Sequence, residues 1–89
     1  MSKRGIMFYV YVLKSKNHEW RYVGSSKDLK KRISDHNAGN VQSTKPYAPF
    51  ELEAYIAVNT NSKARELERY LKTGSGRTIL YKRILQSSK

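Results

Sequence analysis

Five polar side chains in this sequence are of the types that carry out acid–base and phosphate chemistry: Tyr11, Tyr22, Arg32, His36 and Glu68. Hydrolysis of a phosphodiester requires a positioned water, a group that takes its proton, a group that neutralises the charge on the phosphorus oxygens, and help for the departing 3′ oxygen. Tyrosine, histidine, arginine and carboxylate groups meet these requirements if the fold brings them together.

Arg32 and His36 are four residues apart in a segment with a helical pattern. Because residues at this spacing lie about one turn apart on one face, both side chains can reach the same small ligand. Leu29 and Ile33 mark the side of the helix that faces the core, and the polar pair flanks that apolar stripe. We therefore expect Arg32 and His36 to point into a cleft beside the core.

Two β-type segments precede this helix. Residues 6–13 are β-branched and aromatic without a breaker, which is typical of a central strand buried on both faces. A polar, turn-rich stretch separates them from residues 20–23, where the β pattern resumes. The spacing predicts an antiparallel hairpin with Tyr11 and Tyr22 on neighbouring strands.

The residues around the first helix predict its ends. We expect Gly24 to end the second strand, and Ser25 or Ser26 to cap the helix, with Asp28 in its first turn. Gly39 supplies the left-handed residue that commonly follows a helix.

The rest of the chain predicts one more strand and two more helices. Residues 50–58 alternate and finish apolar, as in a strand, and a second helix opens at Asn61 or Ser62. The sequence Thr73-Gly74-Ser75-Gly76 breaks that helix, and residues 77–85 predict a third helix with three apolar residues facing inward: Ile79, Leu80 and Ile84.

Glu68 lies in the apolar stripe that Ala64, Leu67 and Leu71 form on the second helix. An ionised carboxylate at such a position is costly unless a cation or a metal meets it. The alternative is that Glu68 lies at the edge of the stripe and pairs with Lys72 or Arg65. Periodicity alone leaves both interpretations open.

Charge and composition restrict the class of protein. The 89 residues predict a single domain with a core over about 7–85, a basic arm over 1–5 and a frayed tail over 86–89. The net charge of +11 favours nucleic acid as the partner. There is no cysteine for a disulfide or thiol nucleophile. Without a membrane-spanning or signal-type segment, we expect a soluble, cytoplasmic protein that does not bind membranes.

Several exposed polar residues are candidates for contact with nucleic acid. Ammonium, guanidinium and hydroxyl groups are donors that phosphate oxygens accept from. The candidates occupy the first helix, the loop over 40–49 and the second and third helices: Lys27, Lys30, Lys31, Ser43, Thr44, Lys45, Lys72 and Arg77.

The order and spacing of these motifs resemble the GIY-YIG nuclease family. The matching residues are Tyr9-Val10-Tyr11, then Tyr22-Val23-Gly24, Asp28-Leu29, Arg32, His36, and Ala64-x-x-x-Glu68-x-x-Leu71-Lys72. The resemblance covers roughly residues 7–85 and is to the small single-domain bacterial members related to the excision-repair nuclease module. It implies an α+β fold in which about three helices flank a small three-stranded antiparallel sheet.

The resemblance also implies an activity, namely DNA cleavage with one divalent ion, Mg²⁺ or Mn²⁺. By similarity, Glu68 would hold the metal and Arg32 would neutralise the scissile phosphate. Tyr22 would position or deprotonate water, helped by Tyr11 or His36. A free tyrosine is a poor base at neutral pH, so the choice between Tyr22 and His36 stays open.

Three departures from the family pattern bear on activity rather than fold. Tyr9 stands where the family name has glycine, Ser25 stands where several relatives have lysine, and residues 77–89 contain no asparagine. Two rival functions remain, a catalytically silent DNA- or RNA-binding module and a structural protein with incidental charge. Any selectivity would come from DNA shape, a partner protein or weak loop contacts.

Overall fold

The computed structural model describes residues 5–85, which form a three-stranded antiparallel sheet with helices on both faces. The strands are β1 (Phe8–Ser15), β2 (Arg21–Ser26) and β3 (Phe50–Val58), in the order β2-β1-β3. The predicted α+β class is confirmed. The predicted tail over 86–89 and most of the basic arm lie outside the described residues.

The central strand β1 separates two packed layers. Val10 and Val12 face one layer, and Tyr11 and Leu13 face the other, since successive side chains of a strand point to opposite faces. All four are at most 3% exposed, as expected for a strand buried on both faces. The strand begins later than predicted because Ile6 is 70% exposed and unpaired with the sheet.

The first helix, α1 (Leu29–Asn37), packs on the face of Tyr11 and Leu13. Leu29 and Ile33 contact that layer, as predicted. Gly39, with φ of 79°, follows the helix in the left-handed conformation.

The predicted start of α1 is wrong by a few residues. Strand β2 continues past Gly24 to Ser26, because Ser25 and Ser26 pair with β1. Asp28 is the cap, since its carboxylate accepts the Lys31 N–H at 3.1 Å. Ser26 instead accepts the Asp28 N–H at 3.0 Å.

Two helices cover the opposite face. Helix α2 (Asn61–Leu71) begins after Thr60, whose hydroxyl caps it, and buries two side chains against Val10 and Val12: Ala64 and Leu71. Helix α3 (Gly74–Ile79) begins three residues before the predicted start, because the Thr73 hydroxyl accepts the Gly76 N–H at 3.0 Å. A π-helical turn (Leu80–Ile84) follows.

Of the three apolar residues predicted to face inward in this last segment, only Leu80 is buried. Ile79 and Ile84 are 41% and 39% exposed, because the segment packs on α2 along one narrow side. Within residues 5–85, no helix has both the length and the apolar character that crossing a bilayer requires.

Candidate active site

The predicted site residues converge at strand β2, from both faces of the sheet. Tyr22 lies opposite Leu13 in the β1–β2 ladder, so it shares the α1 face with Tyr11. Ser25 lies opposite Val10 and therefore points to the α2 face, where it meets Glu68. The candidate site thus has an α1 half and an α2 half.

The α1 half contains a buried chain of hydrogen bonds. The Tyr11 hydroxyl lies 3.0 Å from His36 Nε2, and His36 Nδ1 lies 2.8 Å from the Thr44 hydroxyl. The Thr44 hydroxyl donates to the carbonyl of Val41 at 3.3 Å, so it accepts the proton of His36 Nδ1. His36 is therefore the neutral tautomer protonated on Nδ1, and its Nε2 accepts from Tyr11.

Burial keeps both titratable members of this chain neutral. Burial raises the pKa of Tyr11 to about 12, and the nearby Arg32 guanidinium offsets this only in part. Burial also lowers the pKa of His36 below its usual range, and the positive charge of Arg32 lowers it further, against the opposing effect of Asp35. At neutral pH, Tyr11 therefore donates and His36 accepts.

Gly24 allows the side chains of Tyr11 and Tyr22 to lie close against the backbone of β2. A Cβ atom at Gly24 would lie 2.5 Å from the Tyr11 hydroxyl oxygen and 2.7 Å from Cε2 of Tyr22. The Tyr22 ring lies 5.1 Å from that of His36, between centroids, and stacks with Trp20 on its other side at 6.3 Å. Tyr22 is only partly buried, unlike Tyr11 and His36.

The α2 half is built on the Glu68 carboxylate. Ser25 donates to one of its oxygens at 2.6 Å, and the Lys72 ammonium donates to the other at 2.9 Å. Burial acts to raise the pKa of Glu68, but the hydrogen bonds from Ser25 and Lys72 and the nearby positive charges outweigh it and lower the pKa. Glu68 is thus ionised and paired with Lys72. This pair was one of the two that the alternative interpretation of Glu68 predicted.

Lys72 connects the two halves. Its ammonium lies 2.9 Å from the Glu68 carboxylate and 5.4 Å from the centroid of the Tyr22 ring. The Lys72 ammonium is therefore close to both the carboxylate of the α2 half and the accessible tyrosine of the α1 half.

The donor set suits a hard, oxygen-binding cation held by one carboxylate. Among residues 5–85, no group of three or more acidic or histidine side chains converges on one point. Glu68 is ionised, and its side chain is 23% exposed. It can supply one inner ligand to an ion such as Mg²⁺, which ordinarily keeps several waters.

The candidate nucleic-acid contacts are distributed over several surfaces. Most of them are exposed: Lys27, Lys30, Lys31, Ser43, Lys45, Lys72 and Arg77. Thr44 differs, because it is fully buried and its hydroxyl is used by His36 and Val41. The structure therefore makes Thr44 a support for His36, with no surface left for a phosphate.

Three features of the site were missed by sequence reasoning. Thr44 was predicted to contact phosphate and not to support His36, and the contact of Ser25 with Glu68 joins residues far apart in the chain. Gly24 was interpreted as the end of a strand and as part of a family motif, although a glycine beside two tyrosines is also a sign of close backbone approach.

Comparisons with known proteins identify the family of this chain. Residues 7–82 match the family model described as the GIY-YIG catalytic domain. The chain is 37% identical over 65 residues to the UPF0213 protein YazA of Bacillus subtilis, a match that covers 72% of this chain and 65% of that protein. It is 37% identical over 68 residues to the UPF0213 protein SSP2268 of Staphylococcus saprophyticus, covering 75% of this chain and 82% of the relative.

A solved structure is also similar. The solution NMR structure of the UPF0213 protein BH0048 from Bacillus halodurans has a TM-score of 0.56 and 26% identity, over 90% of this chain and 87% of that one. The span that matches the family model, residues 7–82, includes all five residues of the candidate site and the strands and helices that position them. The chain therefore belongs to the family of proteins that carry the GIY-YIG catalytic domain.

Proposed function

We propose that this protein is a metal-dependent endonuclease that hydrolyses phosphodiester bonds in DNA. The observation that carries the proposal is that one ammonium group, that of Lys72, lies 2.9 Å from the ionised, partly exposed carboxylate of Glu68 and 5.4 Å from the ring centroid of the accessible Tyr22. The family's domain supports a nucleic-acid substrate, and a net charge of +11 favours a polyanion.

Glu68 would hold the metal, with water and phosphate oxygens as the other ligands. When bound, a divalent ion lowers the pKa of its water and neutralises charge on the phosphate. Lys72 would first have to leave the carboxylate oxygen that it now occupies. Its side chain is 47% exposed, so breaking this ion pair costs little.

Tyr22 is the better candidate for contact with the attacking water. His36 is fully buried and its Nε2 accepts from Tyr11, so neither ring nitrogen is open to solvent. Tyr22 is partly exposed and lies beside both halves of the site. The Tyr22 hydroxyl would orient the attacking water or, as a phenolate, take the proton of that water. The neighbouring Tyr11 and His36 would hold the Tyr22 ring in place.

Arg32 would stabilise the negative charge on the phosphate oxygens during the reaction. Its guanidinium is partly exposed on α1 and close enough to Tyr11 and His36 to shift both pKa values. In the proposed reaction, a bond forms from water to phosphorus and the bond to the 3′ oxygen breaks. A guanidinium matches two phosphate oxygens in paired hydrogen bonds during this step.

The test is cleavage of a mixed panel of nucleic acids: plasmid, single strand, flap, branched DNA and structured RNA. Each substrate is incubated with Mg²⁺, Mn²⁺ or EDTA. The natural chain is compared with Glu68→Gln and with the control Glu66→Gln. The control changes an exposed carboxylate two residues away on the same helix.

We expect metal-dependent cutting that Glu68→Gln lowers by about a hundredfold or more and Glu66→Gln leaves intact. Undiminished cutting by Glu68→Gln would refute the metal assignment. Salt-sensitive binding without any cutting would instead indicate the catalytically silent binding module.

A further inference from the structure

A cavity outside the candidate active site lies on the α1 face, on the side of β3 rather than β2. It has a volume of about 480 Å³ between the start of α1 and the exposed surface of β1 and β3. We call it the Tyr55 groove. Its main lining residues are Tyr9, Lys27, Lys30, Ile33, Leu52 and Tyr55.

The groove exposes an aromatic wall that the core does not use. Tyr55 is 53% exposed and Leu52 is 37% exposed. Both lie on β3, where an irregularity in the pairing with Val12 and Leu13 brings them to the same face of the sheet. The rings of Tyr55 and Tyr9 meet in an edge-to-face arrangement, with centroids 5.8 Å apart and planes at 66°. Tyr9 therefore supports Tyr55 on one side, and about half of the Tyr55 residue, 53%, stays exposed to a flat ligand.

Two ammonium groups stand beside this wall. Lys27 and Lys30 are exposed, and neither takes part in an ion pair within residues 5–85. The single carboxylate of the groove, that of Asp28, already accepts the Lys31 N–H as the helix cap. An occupant that combines a flat apolar ring with negative charge would complement both features.

The groove is connected to the candidate active site through shared elements. Tyr55 lies opposite Tyr11 in the β1–β3 ladder, so both face the same layer. Tyr9 of the groove lies opposite Ser26 in the β1–β2 ladder, next to Ser25, which donates to Glu68. The groove therefore borders the accessible part of the site, and one substrate strand can contact both.

We propose that the Tyr55 groove binds an unpaired nucleotide of the strand that enters the active site. Its base stacks on Tyr55, and its phosphate contacts Lys27 and Lys30. A paired base is unsuited to this contact, because its faces are already stacked in the duplex. The substrate class is thus DNA with an unpaired segment next to the cut. This inference rests on the proposed function.

The experiment measures binding in EDTA, so that no cleavage is needed. Fluorescence anisotropy gives the Kd of a labelled blunt duplex and of the same duplex with a short single-stranded extension. The variants are Tyr55→Ala and Tyr55→Leu, the second of which keeps apolar area but lacks an aromatic face. The control is Tyr70→Ala, which removes a tyrosine that is 43% exposed on α2 and lies outside the Tyr55 groove.

We expect Tyr55→Ala and Tyr55→Leu to weaken binding of the extended duplex about tenfold, and to change blunt-duplex binding by less than about twofold. Tyr70→Ala should match the natural chain on both. Thermal unfolding by circular dichroism verifies that each variant is folded.

Three results would overturn the inference. Full binding by Tyr55→Leu would mean that the wall is merely apolar, and equal losses on both DNAs would mean a duplex contact. Unchanged DNA binding with a variant-dependent change in sedimentation would make the groove a contact between copies of the chain. Failure to cleave any substrate would overturn the proposed function while leaving this binding result valid.

Discussion

The two halves of the candidate site differ in how completely their polar groups are enclosed. In the α1 half, Tyr11, His36 and Thr44 are at most 1% exposed, and their hydrogen bonds run to a closed end at a carbonyl. In the α2 half, Glu68 and Lys72 form a partly exposed ion pair.

This difference suits the two halves to different tasks: the buried half holds side chains in position, and the exposed half can exchange one ionic partner for another. No buried side-chain nitrogen or oxygen among residues 5–85 lacks a hydrogen-bond partner. Removing a member of the buried chain therefore leaves another buried polar group without a partner, which lowers the stability of the fold. An exposed ion pair is worth little and can change partners. We therefore expect changes in the buried hydrogen-bond chain of the α1 half to affect mainly stability, and changes at the exposed groups of the site to affect mainly ligand binding and turnover.

Arg32→Ala should have the largest effect, because Arg32 borders the buried chain yet remains partly exposed to substrate. We expect the cleavage rate at saturating DNA to fall by about a hundredfold to a thousandfold, with a much smaller change in Kd. Single-turnover kinetics separates the two quantities. Ser34→Ala, at an exposed position of the same helix, is the control. A loss confined to affinity would make Arg32 a docking residue.

Thr44→Val tests the closed half. The valine keeps the shape of threonine but leaves the His36 Nδ1 proton without its acceptor. We expect the free energy of unfolding, measured in urea, to fall by about 1–3 kcal/mol. Thr44→Ser, which retains the hydroxyl, should recover most of the loss. Equal stability of the valine and serine variants would contradict the hydrogen-bond chain.

The buried histidine should also make stability depend on pH. Because the pKa of His36 is lower in the folded chain than in the unfolded one, its contribution to stability is present above about pH 6.5 and is lost as the pH falls below it. Urea unfolding between about pH 7 and pH 5 should show this loss, and His36→Gln should reduce the slope. A slope that instead disappears in His18→Gln would assign it to the exposed histidine.

Lys72→Met should have the smallest effect and the opposite sign. Removing the ammonium frees one oxygen of Glu68, so Mn²⁺ should bind up to about fivefold more tightly at low salt. Electron paramagnetic resonance of free Mn²⁺ measures this without DNA. Lys63→Met, in the first turn of α2, is the matched control. Weaker Mn²⁺ binding by Lys72→Met would show that the ammonium supports the metal site.

The pattern of apolar residues was enough to locate all three strands and the first two helices. These patterns repeat within each element, so they can be recognised without knowing the fold. The ends were less predictable. Asp28, rather than a serine, caps α1, and α3 begins at Gly74, because hydrogen bonds within one turn decide where a helix starts.

The sequence by itself determined the residue types of the site, the local pairing of Arg32 with His36, and the positive charge that favours a polyanion. Only the tertiary structure decided which distant groups meet. The Tyr11–His36 contact joins residues 25 apart, and the Ser25–Glu68 contact joins residues 43 apart. Helical and strand periodicity fix the direction of a side chain within its own element, whereas such contacts depend on how the sheet, its two helical layers and the intervening loop pack together.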